Sequence, residues 1–463
     1  MDEFEFVVIG GGSAGYAGAR TAAAAGLRTA VIDGGAELGG LCILRGCMPS
    51  KTLLESSHRF RALQRAGEFG LRASDVGFDA SEIVARKRRL IGEFADFRRG
   101  QLEDGRFELI RGTAEFVDPQ TVRVHLREGG SKDVRAQSFL LATGSVIATP
   151  AVPGLDHSEV WTSDDILNCE SLPATITVLG GGPVALEMAS YCQALGTRVT
   201  LVQRSPQILR GSDSDAAHAL AEGLRHEGVE IFLDTKLRRI ERTSAGWETV
   251  FEQGGSERVV TSERILNALG RKASMAGFER ADVEIRSGRV AAGADQRTSQ
   301  EHIFAAGDVC GPLEVVHVAI QQGEIAARNA VRWIRGESGK PETIDYRLRL
   351  FAVFSEPQFA TVGATESDLR EAGIEFLSAS YPFADHGKSI VMGETEGFVK
   401  LIVDRGTREI LGATVVGPLA SELIHEMVVA MRFRATASDL ASTPHYHPTL
   451  SEIWTYPAEE LAN

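Results

Sequence analysis

Four consecutive apolar positions, Phe6-Val7-Val8-Ile9, predict a strand buried on both faces, and Gly10-Gly11-Gly12-Ser13-Ala14-Gly15 follows it. An Ala-rich helical stretch then runs to about Gly26, and Thr29-Ala30-Val31-Ile32 predicts a second strand ending at Asp33. The same order returns 170 residues later. Thr175–Leu179 is its strand, Gly180-Gly181-Gly182-Pro183-Val184-Ala185 its turn, and a helix to about Leu195 leads into the strand Val199–Val202. Further on, Phe398–Val403 and Ile410–Val416 predict sheet strands, and Ser421 to Phe433 has the spacing of an amphipathic helix. Between these regions, Gly336-Glu337-Ser338-Gly339-Lys340-Pro341 breaks the pattern and predicts a linker.

Strand, glycine turn, helix and strand in this order suit a dinucleotide. Gly10 permits the tight turn, Gly12 lets backbone approach a pyrophosphate, and Gly15 lets helix and strand pack closely; Gly180, Gly182 and Ala185 take these places in the second copy. Each helix N-terminus offers free N–H groups to phosphate. Two copies in the same context predict two dinucleotide sites. Asp33, 18 residues after Gly15, is placed to accept hydrogen bonds from ribose hydroxyls. The equivalent slot after Ala185 holds Gln203, followed by Arg204 and later Arg210. An amide does not repel a 2′-phosphate, and guanidinium groups bind one in bidentate fashion. The second site therefore predicts NADP, with NAD in its place if both arginines are only solvated.

Composition narrows the class. The 463 residues suggest about three domains, with 43% hydrophobic and 24% charged residues in an ordinary globular balance. With 49 basic against 63 acidic residues the formal charge is -14, which argues against a nucleic-acid partner. No uncharged apolar run approaches the ~18 residues of a membrane span. The start Met1-Asp2-Glu3 lacks the basic residues of a leader, so a cytoplasmic location away from membranes is the expectation. Five cysteines are too few for a disulfide scaffold. Cys169, Cys192 and Cys310 sit among apolar neighbours and predict buried thiols, whereas Cys42 and Cys47 lie close together in a Gly-bounded segment.

That segment reads Gly39-Gly40-Leu41-Cys42-Ile43-Leu44-Arg45-Gly46-Cys47-Met48-Pro49-Ser50-Lys51. Cysteines five apart do not share a helical face. If they bridge, their Cα atoms must approach within ~7 Å, and the first must lie at or before a helix start. A pair of structural thiols, a metal site and a redox pair are all open, though no second Cys or His pair at ligand spacing supports the metal.

With this segment the chain resembles the flavin-dependent pyridine nucleotide–disulfide oxidoreductases, which include dihydrolipoyl dehydrogenase, glutathione reductase and mercuric reductase. Leu140-Leu141-Ala142-Thr143-Gly144 and Ile303-Phe304-Ala305-Ala306-Gly307-Asp308 match two further flavin-domain motifs. His445-Tyr446-His447-Pro448-Thr449-Leu450-Ser451-Glu452 matches the family's catalytic His-Pro-Thr-x-x-Glu. The resemblance implies FAD on Gly10, Gly12, Gly15, Asp33, Gly40, Lys51, Ala114, Thr143, Gly144 and Asp308. It implies the nicotinamide dinucleotide on Gly180, Gly182, Ala185, Gln203, Arg204, Arg210 and Gly270. It also implies a redox disulfide in which Cys42 is the interchange thiol and Cys47 the thiolate beside the flavin. His447 would be the base, Glu452 its orienting partner, and Lys51 with Glu187 a pair at the nicotinamide side of the flavin. Since the family's base comes from the partner subunit, a homodimer with shared active sites is implied.

On substrate, the His-x-His-Pro-Thr-Leu-Ser-Glu stretch is most similar to dihydrolipoyl dehydrogenases, and no cysteine follows Cys310, unlike mercuric reductases. Arg20 matches a glutathione-binding arginine, while Glu324 stands where a second one is expected. A small or lipoyl-type dithiol ranks first and glutathione second. A metal or quinone reductase and a non-catalytic redox sensor rank below them. Leu41 and Leu44 replace Thr and Asn, Pro183 replaces a gating tyrosine, and Arg45 adds a cation between the cysteines, where it can favour thiolate, attract an anion or point into solvent. The implied architecture is α/β, with two doubly wound dinucleotide-binding domains and an α+β dimerisation domain. FAD-binding segments are expected at 1–149 and 273–345, the NAD(P) domain at 150–272 and the dimerisation domain at 346–463, with no metal site.

Overall fold

The computed structural model describes residues 2–462; Met1 and Asn463, the ends of the first and last expected segments, lie outside the described residues. The chain divides into two compact units, each assembled from separated stretches. The first takes in the chain to Pro49, Arg86–Ala148 and Arg271–Asp345; the second takes in Ser50–Ala85, Thr149–Gly270 and the chain from Tyr346.

The first unit is built on the opening apolar run. Strand β1 (Asp2–Ile9) pairs in parallel with β2 (Thr29–Asp33) on one side and with Ser131–Leu141 on the other. Strand Glu108–Asp118 continues the sheet beyond β2, and Ile303–Ala305 continues it beyond Ser131–Leu141. A meander through Thr121–Leu126 joins the outer parts of the two long strands by antiparallel pairing. Phe6 and Val8 pack into one core while Val7 and Ile9 pack into another, which explains why β1 is apolar at all four of these positions. Helix α1 (Ser13–Ala24) crosses one face against helix Val316–Ile334. Small residues set that approach, because a Cβ on Gly323 would lie 2.2 Å from the Ala14 carbonyl oxygen.

Among the described residues, the second unit holds three sheets. Arg264–Asn267, Thr175–Leu179, Arg198–Val202 and Glu230–Phe232 form a four-stranded parallel sheet, with helix Pro183–Ala194 following its Gly-rich turn. Thr235–Thr243, Gly246–Gln253 and Ser256–Ser262 form an antiparallel meander. The C-terminal region is a five-stranded antiparallel sheet in the order Leu350–Val353, Gln358–Gly363, Ile410–Gly417, Phe398–Asp404, Phe376–Pro382. Helix Ala420–Arg432 and the segment from Leu450 to Leu461 cover it through a shared core around Ile424, Met427 and Trp454.

One expectation is corrected here. Cys192 is buried, but Cys169 and Cys310 are only partly so. Burial nonetheless raises all three thiols above their ordinary range, that of Cys310 to about 12.

Candidate active site

The two glycine turns are built alike. Gly10 and Gly180 have φ of +105° and +118°, and a Cβ on either would lie 2.4 Å from a carbonyl oxygen, that of Ala142 or Ala268. Gly10 N–H donates to the Ile32 carbonyl at 2.8 Å, and Gly180 N–H to that of Val202 at 2.9 Å. Next in line, Gly11 faces Asp33 and Gly181 faces Gln203. Asp33 accepts from the Gly11 and Gly35 N–H groups at 2.8 and 2.9 Å, so it ties the turn to the strand end. Gln203 lies over Gly181 and accepts from the Arg204 N–H at 3.1 Å. Arg204 and Arg210 are exposed, and neither guanidinium makes a hydrogen bond or ion pair among the described residues.

Around the first turn, backbone is left open where a ligand must approach. A Cβ on Gly12 would meet nothing nearer than the Gly40 Cα at 3.9 Å, and one on Gly144 would meet nothing within 4 Å. Ala114 is buried within its strand, and Thr143 donates from Oγ1 to the Ser274 carbonyl. Asp308 accepts from Ser145 Oγ at 2.6 Å, and Ser145 Oγ in turn accepts from Arg271 Nε at 2.8 Å. Buried Gln322 clamps the Asp308 loop, accepting from Gly307 N–H at 2.7 Å and donating to the Gly311 carbonyl at 2.6 Å. Ser145, Arg271 and Gln322 escape the sequence reading, although the first two immediately follow the flagged Gly144 and Gly270. The open turn and the pinned Asp308 fit FAD. At the second turn, Gly182 and Gly270 are likewise open on their Cβ sides.

The cysteines lie on two successive helices. Cys42 is in the middle of short α2 (Gly40–Leu44), and Cys47 is the first residue of α3 (Cys47–Gln64). The expected helix start after Cys42 is therefore present, but Cys42 has a helical turn of its own. Arg45 is exposed in the break between them. Gly46 makes the break tight, since a Cβ there would lie 3.0 Å from the Leu41 carbonyl oxygen and 3.3 Å from Cys42 Cα. The structure adds Arg98 to the groups around Cys42. Its guanidinium stacks 4.1 Å over the Tyr16 ring. Burial holds Arg98 below its ordinary pKa, with the charges of Tyr16 and Cys42 opposing that shift and Arg20 adding to it. Arg20 itself is ion-paired with Glu324, so the two substrate candidates neutralise each other.

In the second unit, Lys51 Nζ contacts both Glu187 oxygens at 2.8 and 2.9 Å and lies 4.7 Å above the Phe354 ring. Glu187 is 5% exposed and also accepts from the Phe354 N–H at 3.2 Å. His447 Nδ1 lies 3.0 Å from Glu452 Oε2, which leaves Nε2 outward. The His447 side chain is 80% exposed and that of Glu452 is 11% exposed. His445, by contrast, is turned in, with Nε2 2.7 Å from Glu426 and Nδ1 2.9 Å from the Thr443 carbonyl.

Two family models match the chain: pyridine nucleotide-disulphide oxidoreductase over residues 4–323, and the dimerisation domain of that family over 351–458. The chain belongs to this family of oxidoreductases. It is 35% identical over 468 residues to dihydrolipoyl dehydrogenase from Thermus scotoductus, covering 100% of this chain and 98% of that one. Among solved structures it resembles LpdA from Mycobacterium tuberculosis (TM-score 0.86, 29% identity, 100% of both chains). It also resembles the HOCl-induced flavoprotein disulfide reductase RclA from Escherichia coli, solved as a Cu(II) complex (TM-score 0.85, 28% identity, 99% and 100% of the chains). The chain is thus a dihydrolipoyl dehydrogenase-like disulfide oxidoreductase that uses FAD and a nicotinamide dinucleotide, and it carries the family's dimerisation domain. No helix among the described residues is long and apolar enough to cross a membrane.

Proposed function

We propose that the chain oxidises a lipoyl-type dithiol through a Cys42–Cys47 disulfide, with NADP as preferred electron acceptor. The observation that carries this reading is the His447–Glu452 dyad at 3.0 Å, a base held by a nearly buried carboxylate with its second nitrogen outward. His447 takes the proton of one substrate thiol, and the resulting thiolate attacks Cys42 Sγ. An S–S bond forms between substrate and Cys42 as the Cys42–Cys47 bond breaks, and Cys47 leaves as thiolate. The second substrate thiol then closes the substrate disulfide and displaces Cys42; its proton passes to the leaving Cys42 sulfur, and His447 keeps the first proton beside the Cys47 thiolate. The substrate has lost two electrons and the protein dithiol has gained them. FAD, when bound, carries that electron pair between the dithiol and the nicotinamide.

The helix N-terminus at Cys47 favours its thiolate, and the Arg98 guanidinium does the same for Cys42. The Lys51–Glu187 pair fixes a cation in place beside Phe354. Gln203 supports NADP because it puts no carboxylate at the ribose slot, and Arg204 and Arg210 are exposed cations with no internal partner among the described residues. We further propose that each active site takes its cysteines from one subunit and His447 from the other. A glutathione-type substrate is the second reading, and the Arg20–Glu324 pair counts against it, because the arginine that would hold the peptide carboxylate is already neutralised.

The test is dihydrolipoamide oxidation with NADP and with NAD in turn. Wild-type protein is expected to turn over, faster with NADP, and Cys47→Ser is expected to lose turnover while retaining FAD. Retained turnover in Cys47→Ser rejects the relay. If NADPH reduces glutathione disulfide but dihydrolipoamide is inert, the second reading holds.

A further inference from the structure

Glu452 lies between two histidines, one hydrogen-bonded to it and one facing it at longer range without a hydrogen bond. Its Oε2 faces His447 Nδ1, and its Oε1 lies 3.4 Å from Nε2 of a second histidine, His386. His386 comes from the loop before helix Gly387–Met392, and its side chain is 0% exposed. Its other ring nitrogen, Nδ1, lies 2.9 Å from the hydroxyl of buried Ser389. The tautomer follows from the partners. A carboxylate only accepts, so Nε2 carries the proton that faces Glu452, and Nδ1 accepts from the Ser389 hydroxyl. Among the described residues Oε1 has no second partner.

Burial favours the neutral form of this ring. Burial is the largest influence and pulls the His386 pKa down; Glu452 opposes it and His447 adds to it. Asp385 and Lys388 flank it in the chain, and two phenols lie nearby. Tyr456 sits edge-on with its centroid 6.2 Å away, and Tyr381 stacks on Tyr456 at 4.0 Å.

We propose that His386 is a positioning residue for the reaction: a buried imidazole whose Nε2 faces the second oxygen of Glu452 and so tunes the basicity of His447. This deepens the proposed function and rests on His447 being the base. Each oxygen of the carboxylate then faces one ring nitrogen, at 3.0 Å on the His447 side and 3.4 Å on the His386 side. Removing the inner ring takes the facing N–H dipole away from Oε1 and leaves the carboxylate charge to His447, which favours the imidazolium. A base held protonated to higher pH works over a narrower range.

The experiment compares the pH profile of kcat/KM for dihydrolipoamide in the wild type, His386→Phe and His386→Gln. His386→Phe fills the space without a donor, and its acid limb is expected to move to higher pH by roughly half a unit to one unit. His386→Gln supplies an amide N–H at the reach of Nε2 and is expected to return the limb to the wild-type position. A lost packing contact alone lowers the rate of both variants without moving the limb, and that result overturns the proposal. An equal shift in both variants overturns it as well, since the donor would then be irrelevant. If His386→Phe does not fold, the Gln variant decides through a companion, His386→Leu, judged by the same limb. His447→Ala separates the two levels. If it keeps full dithiol turnover, the reading of the base fails; if it loses turnover while the His386 profiles stay fixed, only the role of His386 fails.

Discussion

A methyl group added at Gly15 would sit 1.8 Å from the Gly10 carbonyl oxygen, a contact that no side-chain adjustment relieves because both partners are backbone. The helix would have to withdraw from the turn, and the turn is where the pyrophosphate must be cradled. Gly15→Ala is therefore expected to purify with little FAD, measured as the flavin-to-protein ratio in visible absorbance; full occupancy would show that the turn is not the cradle. The second repeat carries Ala185 at this place, buried and accommodated, so it is already built for a Cβ. Residue-level legibility follows from the same physics. Gly10, Gly15 and Gly180 are readable in the sequence because fixed backbone geometry excludes every larger residue. Gln322 is not, because its partners Gly307 and Gly311 reach it only after helix Val316–Ile334 has packed. His386 is silent for the same reason, as its partner Glu452 lies on a distant turn of the chain.

At the scale of elements, α3 combines several demands on one helix. It opens at Cys47, carries Lys51 after one turn, and carries His58 and Arg61 further along. His58 Nε2 is buried without a hydrogen-bond partner among the described residues. Burial is the main cause of its lowered pKa; Arg61 adds to it, while Glu55 and Glu187 oppose it. The sign of the effect on stability follows. The folded pKa lies below the unfolded value of about 6.5, so the stability it allows is complete above that value. As pH falls into the window beneath, the unfolded chain binds the proton first and stability drops, by on the order of 1 kcal/mol for each unit of depression. His58→Gln is expected to flatten the fall in melting temperature between about pH 7 and pH 5. Identical slopes in variant and wild type would mean that His58 is not held neutral. The periodic elements themselves are largely open to sequence reading, since helix Ala420–Arg432 and strands Phe398–Asp404 and Ile410–Gly417 fall within a residue of their apolar patterns. The short α2 is not, because five residues around a cysteine carry no period, and only the crowding of Gly46 against Cys42 defines it.

At the scale of the whole molecule, the exposure of His447 is the informative fact. A base that exchanges protons with thiols works best where water is excluded, yet in the single chain its ring is 80% exposed. Tyr446 beside it is 83% exposed and Phe433 80%, large apolar side chains on a domain whose family role is dimerisation. A second copy seated over His447 and Tyr446 would shelter the base. The proposal of shared sites then has a consequence that a one-chain site does not. Cys47→Ser and His447→Ala each inactivate every site in their own homodimers. In a mixed dimer, the intact dithiol of the His447→Ala chain meets the intact base of the Cys47→Ser chain, which restores one site of two. Co-expressing the two inactive chains in equal amounts gives half mixed dimers, so about a quarter of wild-type turnover is expected, scaling with the mixed species isolated through two different tags. If dithiol and base act within one chain, both sites of the mixed dimer stay dead and turnover remains at the level of the parents. The same preparation also guards the interpretation: FAD bound and dimers formed, without turnover, would place the fault in the assignment of the shared site and not in folding.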